Sequence, residues 1–166
     1  MKYNFSTENL KITTFNLFFF YWDGSLIIRD MNQTLRNILA VIVGWLGGSI
    51  INMALVQTGH SIFPIEGLDP NDMDAFAAIM PSLDAKYFIF PFFAHALGTL
   101  AGAAIAAIIG VDRKLMLAFI VGGFFLIGGI AVNYLLPGPI WFTIVDILFA
   151  YIPMAWLGGK LVQAKG

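Results

Sequence analysis

The 166-residue chain contains no cysteine and few charged residues. Without thiols it can form no disulfide, thiolate metal site or cysteine nucleophile. Charged residues make up 11% of the sequence and hydrophobic residues 59%, against roughly 25% and 45–50% in ordinary soluble domains. The net charge is −1 and no basic run interleaves with aromatic residues, which argues against a nucleic-acid partner. The composition excludes a water-soluble globule and predicts the lipid bilayer as solvent and partner.

Long uncharged runs predict four membrane-spanning helices. The clearest run is Phe88–Gly110, which at about 1.5 Å per residue can cross the roughly 30 Å of hydrocarbon in a bilayer. We predict an all-α integral membrane protein, a four-transmembrane-helix bundle formed by a single domain of residues 31–166. The predicted spans are about 38–57, 88–110, 115–136 and 140–159.

Residues 1–30 differ from the rest of the chain, because they are rich in Asn, Thr, Lys and Phe and poor in Ala and Gly. Their apolar run Phe15–Trp22 is too short to span a bilayer, and no good small-x-small cleavage site follows it. Met31 then opens a short polar start that leads into the first span. We expect residues 1–30 to be a poorly ordered leader or an over-called start, with a membrane-surface anchor as the alternative.

The largest loop, Thr58–Lys86, carries five carboxylates. Within it, Asp69-Pro70 predicts the start of a short amphipathic helix at the membrane surface, with Met73 and Phe76 on the apolar face. The carboxylate spacing does not suit a calcium loop, so we predict a solvated acidic face there rather than a cation site.

Five positive charges lie on one side of the predicted spans, which is also the side of both chain ends. The acidic loop lies on the opposite side. By the positive-inside rule, both termini are predicted to be cytoplasmic. The basic residues that determine this orientation are Arg36, Arg113, Lys114, Lys160 and Lys165.

Small residues recur along the spans at spacings typical of close helix contacts. The first and third spans share a GGxxxN motif, and Phe93-Ala94-His95 in the second matches Phe149-Ala150-Tyr151 in the fourth. These matches suggest a 2+2 parallel repeat. The glycine faces also suit a homodimer or contact with another membrane protein. The predicted helix-packing residues are Gly44, Gly48, Gly98, Gly102, Gly128 and Gly129.

Each span places one polar side chain in the predicted outer half of the bilayer: Asn52, His95, Asn133 and Asp146. An Asp in a span costs roughly 2.5–3.5 kcal/mol on insertion scales, so Asp146 should face the bundle interior and pair with His95. Together with the two asparagines, this pair would form an outward-opening polar pocket. The alternative is that these residues only form hydrogen bonds that hold the helices together.

The sequence shows no zinc motif, phosphate-binding loop or serine nucleophile elbow, so we predict no metal and no cofactor. It favours a non-catalytic membrane subunit, or a permeation protein for a small solute or proton that uses the polar pocket. The alternative is an intramembrane enzyme or redox partner that acts on a lipid or quinone, with Asp146 and His95 as an acid/base pair.

Four segments, PFFAHALGTLAGA, FLIGGIAVN, LPGPIWF and VDILFAYIPMAWLGG, resemble an uncharacterised family of small four-span bacterial inner-membrane proteins. The resemblance covers roughly residues 38–161 and leaves residues 1–30 outside. It implies four spans in the bacterial cytoplasmic (inner) membrane. It implies no activity and no site residue.

Overall fold

The computed structural model describes residues 31–67 and 72–164. The expected leader, residues 1–30, lies outside these described residues, whereas the described residues from Gln33 onward belong to one compact unit. The described parts consist of helices and turns and contain no strand. The helices are α1 (Gln33–Ile62), α2 (Met73–Ile79), α3 (Ile89–Ile109), α4 (Lys114–Leu135), α5 (Ile140–Phe149) and α6 (Ile152–Gln163).

Four helical segments are long and apolar enough to cross a membrane. Their outer surfaces carry large apolar side chains, and Ile50, Ile127 and Ile140 are 71%, 66% and 79% exposed. A surface of this kind requires an apolar solvent, so the chain is a multi-pass membrane protein. The predicted all-α four-helix bundle is confirmed. The spanning segments are Gln33–Ile62, Ala85–Ile109, Lys114–Leu135 and Ile140–Gln163.

The bundle has two ends, which we name by the chain segments found there. The terminal end contains the start of α1, the α3–α4 turn and the end of α6. The loop end contains α2 and the α4–α5 turn. At the terminal end, Arg36 Nε donates a hydrogen bond to the Ile109 carbonyl oxygen (2.8 Å), and the Val111 N–H donates one to Asn37 Oδ1 (3.1 Å). These bonds satisfy backbone groups left free at the C-terminal end of α3 and tie α1 to it.

The span that contains α3 is the most buried of the four, and α3 contacts the other three spans. Its approach to α1 depends on glycines in both helices. A Cβ on Gly44 would lie 2.5 Å from the Gly102 carbonyl oxygen, and a Cβ on Gly98 would lie 2.9 Å from the Gly48 carbonyl oxygen. Because backbone atoms block both positions, a side chain at either would force the helices apart.

Gly128 and Gly129, which are neighbours in α4, lie in different surroundings. An added Cβ on Gly129 would meet the Tyr151 ring, with Cε2 at 2.9 Å, whereas no atom lies within 4 Å of a Cβ on Gly128. Gly128 is exposed and Gly129 is buried. Of Gly128 and Gly129, therefore, only Gly129 packs closely against another part of this chain.

The fourth span is broken in its middle. α5 ends at Phe149 and α6 begins at Ile152, so Ala150 and Tyr151 form a joint between the two helices, in which both residues stay in the right-handed helical region of φ and ψ. Pro153 lacks the N–H that would bond to the Phe149 carbonyl in a continuous helix, which explains why the break occurs there. Both joint residues are buried, with Tyr151 only 1% exposed. Sequence patterns gave a span over 140–159 and did not anticipate the joint.

A short helix, α2, is present in the loop, as expected. Its N-cap is Asp72, whose Oδ1 accepts a hydrogen bond from the Ala75 N–H (3.0 Å). The expected start at Asp69-Pro70 lies in residues 68–71, outside the described parts of the chain. Pro81 stands in the 3₁₀ turn Met80–Ser82 that follows the helix.

Candidate functional site

Asp146 is a fully buried carboxylate on α5, one turn before the joint in the fourth span. Three side chains from different elements surround it. His95 Nδ1 of α3 lies 2.8 Å from Oδ1, and the Tyr151 hydroxyl donates to Oδ2 at 2.7 Å. Asn133 Nδ2 of α4 also reaches Oδ2, at 3.4 Å. These contacts compensate the loss of hydration that makes a buried carboxylate unfavourable.

Asn133 links this group to one further residue, Thr143. Its Nδ2 donates to the Gly129 carbonyl oxygen (3.0 Å) as well as to Asp146, and its Oδ1 accepts from Thr143 Oγ1 (2.8 Å). Both amide hydrogens are therefore used, and the oxygen keeps one free lone pair. We call Asp146, His95, Tyr151, Asn133 and Thr143 the Asp146 cluster.

The hydrogen-bond pattern assigns the tautomer of His95. An ionised Asp146 can only accept hydrogen bonds, so its contact with Nδ1 places the ring proton on Nδ1. In the neutral imidazole, Nε2 then carries a lone pair. No described residue bonds to Nε2, and no buried polar atom of the described residues lacks a partner, so Nε2 is accessible.

A cavity of about 200 Å³ extends from the Asp146 cluster toward the loop end. His95 and Asn133 are the members of the cluster that line it. The remaining walls are mostly apolar, and they include the aromatic side chains Phe63, Phe76, Tyr87, Phe88, Phe90 and Phe142. His95, whose Nε2 is accessible, therefore lines a cavity that is otherwise mostly apolar and aromatic.

Toward the terminal end, packed small side chains close off the Asp146 cluster. Thr99, one turn further along α3, is fully buried and donates its hydroxyl to the His95 carbonyl oxygen (2.7 Å). Beyond it, Ala103 and Ala106 of α3 are also fully buried. In this conformation the Asp146 cluster is open toward the loop end and closed toward the terminal end.

The structure brings together three of the four predicted pocket residues: His95, Asn133 and Asp146. Asn52 lies apart from them. It is half-buried against α3, with its Cβ 3.0 Å from where a Gly98 Cβ would lie. It makes no hydrogen bond to another described residue and does not line the cavity.

Two members of the cluster, Tyr151 and Thr143, were not selected from the sequence. The one available signal for Tyr151 was its match to His95 in the proposed repeat. These two matched residues meet, with Tyr151 Oη 3.0 Å from His95 Nδ1. The only available signal for Thr143 was its position one helical turn before Asp146. The repeat itself stays a prediction.

Comparison with known proteins matches the chain to no family, curated protein or solved structure. The bacterial setting implied by resemblance thus stays a prediction, and function has to be inferred from the chemistry of the site. Among residues 31–67 and 72–164, no three His, Cys, Asp or Glu side chains come together in a way that could hold a metal ion.

Proposed function

We propose that this membrane protein carries a small, mainly apolar solute across the bilayer in a proton-linked manner, with the Asp146 cluster as its site. One observation carries the proposal: a buried membrane carboxylate is paired with a histidine that lines a cavity open at one end. Ionisable residues within spans mark substrate and proton pathways in membrane proteins. The His95–Asp146 pair can take up or release one proton where a solute binds.

The joint in the fourth span supports transport rather than static binding. In secondary transporters, substrate sites form at discontinuous helices near the middle of the membrane. Here Tyr151 in the joint bonds to Asp146 on α5. A change of charge or occupancy at the Asp146 cluster therefore acts directly on the joint. Movement of α6 relative to α5 would open the cluster toward the terminal end.

The proposal includes an orientation and an oligomeric state. Both termini lie on the cytoplasmic side of a bacterial inner membrane, since Arg36, Arg113 and Lys114 outnumber Asp112 at the terminal end while carboxylates outnumber Lys86 at the loop end. The loop end and the cavity then face outward. Four spans make a thin wall for a permeation path, so we propose that the working unit is a homodimer.

The orientation predicts a labelling pattern. A single cysteine replacing Glu66 or Asp84 should react with a membrane-impermeant maleimide added to right-side-out vesicles. One replacing Asp112 should react only after the vesicles are opened. The natural chain contains no cysteine, so the background is empty. The reverse pattern would place the cavity on the cytoplasmic side.

The transport proposal predicts that Asp146→Asn abolishes proton-linked flux. Proteoliposomes with a trapped pH indicator are given a gradient of benzylamine, benzyl alcohol or benzoate. For at least one solute, the protein-dependent initial rate of pH change should fall more than about tenfold in the variant, the effect of about 1.4 kcal/mol. Asp112→Asn at the terminal end neutralises an exposed carboxylate and should keep the full rate. If no solute gives a rate that depends on Asp146, the proposal fails.

A second candidate function is enzymatic. It is favoured by the accessible His95 Nε2 with Asp146 behind Nδ1, which is how a general base is commonly held. The substrate would be the hydroxyl of a lipid or reduced quinone in the cavity. Incubation with extracted membrane lipids and quinols would reveal it, because an enzyme gives a new product that Asp146→Asn eliminates, whereas a permeation protein returns the solute unchanged.

A further inference from the structure

We infer that the solute is a small aromatic ammonium ion, which enters the cavity and donates its N–H groups to His95 and Asn133. We call these two lining residues the floor of the cavity. The inference rests on the proposed function and specifies its substrate class. The hydrogen-bond acceptors of the floor determine which kind of ligand it can bind. With Nδ1 protonated, His95 offers the Nε2 lone pair, and Asn133 offers the remaining lone pair of Oδ1. The floor presents acceptors, so a matching ligand must be a donor.

The charge of the Asp146 cluster decides between a neutral donor and a cationic one. With Asp146 ionised and His95 neutral, the His95–Asp146 pair carries one negative charge beside a mostly apolar cavity. A neutral hydroxyl could satisfy the acceptors but would leave that charge uncompensated. An ammonium ion satisfies the acceptors and also neutralises the charge, and hydrogen bonds with an ionised partner are the stronger ones.

The walls of the cavity suit the same ligand. Aromatic faces attract ammonium groups, and most strongly where water is excluded. The ring of Tyr87, one of the lining residues, already holds the Lys86 ammonium 5.1 Å from its centroid, so it can take part in a cation–π contact. A volume of about 200 Å³ exceeds the roughly 150 Å³ of an engineered cavity that binds benzene, so the space accommodates an aromatic ring with a short amine arm.

The charged residues near the mouth of the cavity, its open side at the loop end, are mostly negative and therefore attract a cation. Four exposed carboxylates adjoin cavity-lining residues along the chain, against one ammonium, Lys86. An acidic rim raises the local concentration of cations and their association rate. On its own this rim is only a solvated face, but its sign agrees with that of the floor. The carboxylates are Glu66, Asp72, Asp74 and Asp84.

A proton and an ammonium ion would compete for the same nitrogen. Protonation of Nε2 turns the acceptor into a donor and brings the His95–Asp146 pair to zero net charge, so it expels the ligand. Mutually exclusive binding of this kind is what exchange of a proton for an organic cation requires. The titratable groups that contact His95 are Asp146 of α5 and Tyr151 of the joint; His60 of α1 and Tyr87 of the turn before α3 line the same cavity, and α4 contributes the uncharged Asn133.

Binding of three matched probes tests the inference. Benzylammonium is a cation with N–H donors, benzyltrimethylammonium a cation without donors, and benzyl alcohol a neutral donor. Isothermal titration into the full-length protein in nanodiscs should give benzylammonium an affinity at least about tenfold above both others, the equivalent of one charge-assisted hydrogen bond. The benzylammonium affinity should fall as the pH is lowered, because protons occupy Nε2.

Two variants locate the binding. Asp146→Asn should remove the preference for benzylammonium, whereas Asp112→Asn should retain it. Because Asp146→Asn could disturb packing, Leu136→Trp provides a second test. It fills the cavity from the end of α4, and it should abolish benzylammonium binding while the Asp146 cluster stays intact.

The outcomes separate this inference from the transport proposal. If benzyl alcohol or benzyltrimethylammonium binds as tightly as benzylammonium, or if no probe binds, the ammonium class is overturned, while Asp146-dependent flux of another solute would leave transport standing. If benzylammonium binds as expected but drives no proton flux that depends on Asp146, the ligand class stands and transport fails.

Discussion

Gly129→Ala is expected to destabilise the bundle and disable the Asp146 cluster, whereas Gly128→Ala, one residue earlier, is expected to be neutral or stabilising. A Cβ on Gly129 would overlap the Tyr151 ring, but one on Gly128 meets nothing within 4 Å. Overpacking typically costs about 1–3 kcal/mol, which exceeds the roughly 0.8–1.0 kcal/mol that alanine gains over glycine in a helix. At Gly128 only that gain remains. Unfolding of both variants in mixed detergent micelles measures the difference.

The functional part of this prediction follows from the position of the Tyr151 hydroxyl. A ring displaced by a Cβ on Gly129 cannot keep its 2.7 Å hydrogen bond to Asp146. Proton-linked flux should therefore fall in Gly129→Ala even at temperatures where the variant is folded, and Gly128→Ala should keep the natural rate. Equal stability and equal flux in the two variants would show that Tyr151 does not pack on Gly129.

Asp146→Ala is expected to invert the tautomer of His95. With the carboxylate removed, the nearest polar atom to Nδ1 is the Tyr151 hydroxyl at 3.0 Å, which has also lost its acceptor. The hydroxyl can donate to Nδ1 only if the ring proton moves to Nε2. Nitrogen NMR of labelled histidine should therefore show Nδ1–H in the natural protein and Nε2–H in the variant.

This rearrangement should have a small effect on stability and a large one on binding. Tyr151 and His95 satisfy each other, and interhelical hydrogen bonds in membranes average only about 0.6 kcal/mol. The cavity floor, however, changes from acceptor to donor and loses its negative charge. Benzylammonium affinity should fall about 10- to 150-fold, the equivalent of a hydrogen bond to a charged group.

Thr143→Ala serves as the control for the tautomer. It removes the hydrogen bond to Asn133 but leaves the contact between His95 and Asp146 intact. Its spectrum should retain Nδ1–H. The same tautomer in the natural protein and in Asp146→Ala would mean that Asp146 does not accept a hydrogen bond from Nδ1 of His95.

The spans could be predicted from the sequence because their cause is local. Length and hydropathy decide whether a segment suits a bilayer, and both are properties of consecutive residues. The four-residue spacing of glycines likewise places Gly44 and Gly48 on one face of α1, opposite Gly98 and Gly102 of α3. The same reasoning could not separate Gly128 from Gly129, because the partner that decides between them, Tyr151, comes from a different span.

The residues that form the site were harder to predict from the sequence, for the same reason. Residue counting gives the depth of a polar side chain in a span, but rotation of the helix about its axis decides what that side chain faces. Asn52 and Asn133 occupy matching positions in the GGxxxN motifs, yet only Asn133 points to Asp146. The joint at Tyr151 could not be predicted from Pro153 alone, because a proline in a membrane helix produces anything from a mild kink to a break. The packing of the neighbouring helices decides which of these occurs.

The length of α1 has a consequence for how a solute reaches the cavity. Its 30 residues extend about 45 Å, while the hydrocarbon layer is about 30 Å thick. Because Arg36 is bonded to α3 at the terminal end, the excess projects at the loop end, and it includes the cavity-lining Gly59 and His60. We therefore expect the open end of the cavity to lie among lipid headgroups. The cavity would then take up solute that has already partitioned into the membrane, so apparent affinities should scale with the lipid-to-protein ratio.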